Sequence, residues 1–141
     1  MTDLELIHYN LKILGGEHFC PEYDMMLIAK TIHRLPKELH EKITDEVMFI
    51  STSNVYGFYA YHPASVFNSE ADSHFIVLNF GAINDEEAKM FVIAHELAHY
   101  ILGHHFDNIG ENQDIEAQAD SLAESWGFIV PERRKQGDYS V

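Results

Sequence analysis

The run His95-Glu96-Leu97-Ala98-His99 places two imidazoles four residues apart with a carboxylate beside the first. On an α-helix, residues four apart lie one turn along the axis and about 40° apart around it, so both rings address one point. Such a pair can hold Zn²⁺ through ring nitrogens at about 2.0–2.1 Å. Glu96 can lean over the open side of that metal and take a proton from water as it attacks a carbonyl. The pentapeptide fixes only three positions, so its setting matters more than its letters. Phe91, Val92, Ile93, Ala94, Leu97, Ala98, Ile101 and Leu102 make the surrounding segment apolar almost all round. Burying three ionisable groups there without a metal is expensive, which favours the metal site over two structural histidines.

A catalytic zinc needs a third protein ligand and an open fourth position. His105 stands where an extended pattern with a third histidine would place it. However, that pattern needs glycine at 102, where Leu102 stands, and a later methionine, and none follows Met90. The rival is Glu116, which with Asp120 forms Glu-x-x-x-Asp across Glu116-Ala117-Gln118-Ala119-Asp120. One helical turn separates the two carboxylates, so Glu116 can ligate while Asp120 accepts the free ring N–H of a ligand, His95 being the expected partner. Ala117, Ala119 and Ala123 are small enough to bring that helix close to the first. Glu116 is the better candidate, with His105 as the alternative.

Positioning these groups requires two helices and a support. The segment from Asp85 to about Leu102 reads as a buried helix, with Asn84 and Glu87 as a capping-box-like start. The second helix should run from about Asn112 or Asp114 to Trp126, with Gly127 as its cap and Pro131 beyond. Upstream, Leu4, Ile7, Leu11 and Leu14 form one amphipathic stripe, ended by Gly15-Gly16. Met25, Ile28, Ile32 and Leu35 form a second behind Pro21, and Pro36 opens a short third helix with Leu39 and Ile43. Between these halves, residues 47–50, 55–61 and 74–80 are short, aromatic and β-branched runs that read as strands. The expected fold is α+β within one domain, residues 1–141. Helices occupy about 1–44, a small, mainly antiparallel sheet about 46–80, and the two site helices about 84–127.

Twenty-three acidic against nine basic residues give a net charge of −14. That balance argues against nucleic acid or an anionic membrane as partner, since both demand clustered Lys and Arg. Arg133-Arg134-Lys135 forms the single basic cluster and is too short to alter this. The lone Cys20 excludes an intrachain disulfide, and neither a signal peptide nor a membrane-spanning apolar run is visible, so a cytoplasmic location is expected.

Together, the His95–His99 motif and the Glu116–Asp120 motif resemble the gluzincin class of zinc metallopeptidases. The run from His95 through Tyr100-Ile101-Leu102-Gly103-His104, with the tail from Glu116 through Ala123 and Pro131, resembles the ImmA/IrrE-like peptidases and the minigluzincins. The likeness covers roughly residues 75–131. It implies a zincin-like fold and Zn²⁺ as cofactor, with His95, His99 and Glu116 as ligands, Glu96 as general base and Asp120 as outer partner. It also implies a polypeptide substrate, with the strand around Phe75–Phe80 preceding the active-site helix and able to pair with it. The expected function is zinc-dependent peptide hydrolysis. The alternative is a silent or latent zinc protein that holds a partner polypeptide at its sheet edge. The group that stabilises the oxyanion is not placed by spacing: Tyr139, His104, His105, His74 and Tyr59 all qualify. His104 and His105 read first as polar residues favoured at a helix C-terminus.

Overall fold

The computed structural model describes residues 1–13, 20–51, 57–62, 73–78, 80, 83–104 and 113–139. Helix α1 (Asp3–Ile13) starts at a reciprocal cap. The Glu5 N–H donates to the Thr2 hydroxyl at 3.1 Å, and the Thr2 N–H donates to the Glu5 carboxylate at 2.9 Å. Its stripe buries Ile7 and Leu11, while Leu14 and the two glycines behind it lie outside the described residues. Pro21 precedes α2 (Glu22–Arg34), which turns Met25, Leu27, Ile28, Ala29 and Ile32 into the core. Buried Thr31 meets its hydrogen-bonding need by donating to the Leu27 carbonyl one turn back, at 2.8 Å. After Pro36 comes a 3-10 turn (Lys37–Leu39), then α3 (His40–Glu46), which runs directly into β1 (Val47–Ser51).

Two more strands, β2 (Gly57–His62) and β3 (Ser73–Leu78), complete a sheet of order β1-β3-β2. Strand β3 pairs antiparallel with β2 and parallel with β1. The α+β class holds, but the sheet is mixed rather than mainly antiparallel. The reason is long-range: β1 and β2 run in opposite directions without pairing, and β3 fills the place between them. Reversing from β2, it must run along β1. Ile76 and Leu78 suit that central place, since both are fully buried. A second expectation falls with the first. Strand β3 has a neighbour on each side, so it has no edge to offer a substrate; among the described residues the outer strands are β1 and β2.

Helix α4 (Glu86–Leu102) is capped by Asp85, one residue later than the sequence suggests. The Asp85 carboxylate accepts from the Ala88 N–H at 3.0 Å. Glu87, expected to take part in a cap with Asn84, instead forms a two-pronged pair with Arg34 at 2.6 and 2.9 Å, joining α4 to the end of α2. Every residue from Ile93 to Tyr100 is buried. Helices α2 and α5 and strands β2 and β3 pack around α4, which accounts for its all-round apolarity. It ends at Gly103, whose φ of 74° is left-handed. A Cβ there would meet nothing within 4 Å, so glycine is needed for its backbone conformation and not for space.

Helix α5 (Gln113–Ser125) lays Ala119 and Ala123, both fully buried, against α4. Gly127 (φ 94°) turns the chain, Phe128 and Val130 enter the core, and Pro131 leads into α6 (Glu132–Lys135). At four residues, α6 is too short to leave a periodic apolar stripe in the sequence. Among the described residues, no helix is long and apolar enough to cross a membrane.

Candidate metal centre

The all-round burial of α4 carries His95, Glu96 and His99 into the interior, and α5 brings Glu116 to meet them. His99 is fully buried. The two Nε2 atoms lie 3.1 Å apart with the rings nearly perpendicular, at 86°. Glu116 sets Oε2 3.0 Å from His95 Nε2 and Oε1 3.4 Å from His99 Nε2. Bonds of 2.0–2.1 Å to a tetrahedral zinc put neighbouring ligand atoms about 3.3–3.4 Å apart, so this spacing is close to the edge of such a tetrahedron. Among the described residues, His95, His99 and Glu116 form the group able to hold a metal ion.

The donor chemistry fits a cation as well as the spacing does. Asp120 can only accept, so His95 gives it the Nδ1 hydrogen across 2.8 Å, and a neutral His95 then turns a bare Nε2 toward Glu116. Lone pairs of nitrogen and carboxylate thus converge and require a shared positive charge. In the metal-free protein a proton fills that role. Burial pulls the His95 imidazole down, but hydrogen bonds to Asp120 and Glu116 outweigh it and hold its pKa at about 9. Burial pushes Glu116 up, yet the hydrogen bonds from His95 and His99 keep its carboxyl well below the usual range.

These shifts set a pH dependence for the metal-free protein. A raised histidine contributes stability in full below its ordinary value of about 6.5. That contribution should drain away as pH rises through about 9. With chelator present, the urea midpoint should fall between these values, and zinc added near neutrality should release a proton. A flat midpoint would contradict the His95–Glu116–Asp120 hydrogen bonds.

Glu96 is buried, and its Oε2 has no hydrogen-bond partner among the described residues. Burial raises its pKa, opposed by the charges of His95 and His99. An unpaired buried carboxylate oxygen is a costly arrangement that calls for a donor such as water.

Two neighbours of the centre make contacts that the sequence does not foretell. Arg134, from α6, reaches Asp120 with Nε at 2.9 Å and with Nη2 at 3.2 Å. The same Nη2 lies 3.2 Å from Glu116 Oε2. Its guanidinium lies over the rings of Phe91 and Tyr139, at 5.7 and 5.0 Å from their centroids. The lone basic cluster in an acidic chain was the available signal. In the metal-free protein, Arg134→Met should cost roughly 1.5–3 kcal/mol, because the two shielded carboxylates lose their hydrogen bonds to the guanidinium and keep only His95 as a cation. Urea denaturation with chelator measures this, and unchanged stability would contradict it.

The second is His104, expected to be a helix-end polar residue. Instead its Nδ1 lies 2.9 Å from His99 Nδ1 and its Nε2 3.1 Å from Gln118 Oε1. Burial, the larger influence, holds its pKa below the ordinary value. Of the other oxyanion candidates, His74 packs edge-on against Tyr100 with ring centroids 4.8 Å apart, and Tyr139 lies beside Arg134. His105 and the Tyr59 side chain lie outside the described residues.

Residues 38–132 match the model of a peptidase family described as the IrrE N-terminal-like domain. The match contains α4, α5 and the whole His95–His99–Glu116 group. No curated protein and no solved structure matches the chain.

Proposed function

The chain belongs to the IrrE N-terminal-like domain family of peptidases, and on that premise we propose that it is a zinc-dependent metallopeptidase acting on polypeptides. The observation that carries this reading is the convergence of His95, His99 and Glu116 beside a buried carboxylate, Glu96, one oxygen of which has no partner among the described residues. A zinc ion held by the three ligands would supply a Lewis acid for water and for the scissile carbonyl. Glu96 accepts the proton of the attacking water and passes it to the leaving amine. Its raised pKa suits a group that must first take and then return a proton. Asp120 keeps His95 in the tautomer that presents Nε2, and Arg134 orients Glu116 and Asp120 together.

We read residues 1–141 as one zincin-like unit working in a reducing cytoplasm, without nucleic acid or membrane as partner. The alternative of a silent zinc protein that binds a polypeptide at an outer strand leaves Glu96 unexplained, because binding alone has no use for a buried, proton-accepting carboxylate. Zinc-loaded protein incubated with denatured proteins and peptide libraries, with products read by mass spectrometry, tests the proposal. Cleavage that stops with chelator and returns with zinc is expected. Intact substrates together with one-to-one capture of a polypeptide would favour the alternative.

A further inference from the structure

We propose that His104 and Gln118 are positioning residues that fix the tautomer of His99 through a directed hydrogen-bond relay. The inference rests on reading His95, His99 and Glu116 as a metal centre, and it concerns how the second imidazole is prepared for the metal.

Asp120 orients His95, and among the described residues no carboxylate takes that role for the buried His99. Its Nδ1 lies 2.9 Å from His104 Nδ1. Two nitrogens can share a hydrogen bond only if one carries the hydrogen and the other is bare. Gln118 decides which. Its Oε1, 3.1 Å from His104 Nε2, can only accept, so His104 donates from Nε2. A neutral His104 is then bare at Nδ1 and must accept from His99 Nδ1–H. His99 in turn is left bare at Nε2, the atom that lies 3.1 Å from His95 Nε2. Turning the Gln118 amide over reverses every step: its NH₂ donates to His104 Nε2, His104 donates from Nδ1, and His99 carries its hydrogen on Nε2, where it cannot ligate. Only the first orientation leaves His99 Nε2 bare, so Oε1 turned to His104 is the working direction of the relay.

The backbone builds this contact. Gly103, at φ 74°, folds the chain back at the end of α4, and the His104 N–H donates to the His99 carbonyl at 3.0 Å. That bond seats the His104 ring beside the His99 ring, their centroids 5.2 Å apart. Gln118 stands half a turn of α5 from both Glu116 and Asp120, so one helix supplies the ligand, the partner of His95 and the end of the relay to His99.

Zinc affinity measured by competition with a chromophoric chelator tests the relay. His104→Phe should weaken zinc binding by roughly 10–100-fold, the usual effect of losing an outer partner of a ligating histidine. Gln118→Leu should weaken it in the same direction, and the double variant should be no weaker than His104→Phe alone. Gln118→Glu, which can only accept, should bind zinc at least as tightly as wild type. In the zinc-loaded protein, a nitrogen–nitrogen coupling across the His99 Nδ1–H···Nδ1 His104 bond should be visible by NMR. Wild-type affinity in Gln118→Leu, weakened binding in Gln118→Glu, or additive losses would each overturn the relay. Gln118 is exposed, so its variants decide the matter even if His104→Phe does not fold. A wild type that binds zinc beside variants that match it refutes the relay alone. A wild type that takes up no zinc refutes the metal centre and the relay with it.

Discussion

Glu96→Gln should keep its zinc and lose peptide hydrolysis by roughly 10²–10⁴-fold, the range expected when a general acid–base is removed. The amide matches the carboxylate in shape, so the buried space beside His95 and His99 stays filled. It cannot take a proton from water at neutral pH, and that is the one property the mechanism asks of this residue. Stability should move the other way. Burial raises the Glu96 pKa, so the folded state holds its proton more tightly than the unfolded one. A raised carboxylate therefore costs stability as pH rises past its ordinary value, and a neutral amide removes that cost. The variant should be inactive and no less stable than wild type near neutrality. Turnover on a cleavable peptide, read beside a melting curve at equal zinc occupancy, checks both. Hydrolysis equal to wild type would remove Glu96 from the mechanism.

Glu116→Ala should weaken zinc binding by more than the roughly 10–100-fold expected from losing an outer partner, because the proposed reading makes it a direct ligand. Both Glu116 oxygens lie within 3.4 Å of an imidazole Nε2, so none of the described residues is placed to substitute for it. Activity should disappear at zinc concentrations that saturate wild type. Zinc titration of the variant measures this. Undiminished affinity would displace Glu116 and restore His105, the alternative third ligand.

The parts of the centre that were legible in the sequence are those a helical period carries. His95 and His99, and likewise Glu116 and Asp120, are one turn apart, and that spacing alone puts each pair on one face. The burial of α4 was legible too, since its apolar residues leave no face for water. What escaped depends on chain reversals. His104 reaches His99 only because Gly103 turns left-handed, and read as a continuing helix it would point elsewhere. Arg134 follows the breaks at Gly127 and Pro131, and its approach to Glu116 depends on how α6 returns across α5. Strand order failed for a related reason. The runs at 47–50 and 55–61 look like neighbours, while the pairing of Val47 with His74 through Ser51 with Leu78 joins segments more than twenty residues apart. At the start of α4, Asn84 and Asp85 are both good caps; Asp85 takes the role, and Glu87 pairs with Arg34 on α2.

Whether His95, His99 and Glu116 together hold one zinc ion is read directly by X-ray absorption at the zinc edge of the loaded protein. The expected shell contains nitrogen and oxygen alone, at about 2.0–2.1 Å, with the outer-ring scattering of two imidazoles. Scattering from three imidazoles, or a sulfur near about 2.3 Å, would contradict it.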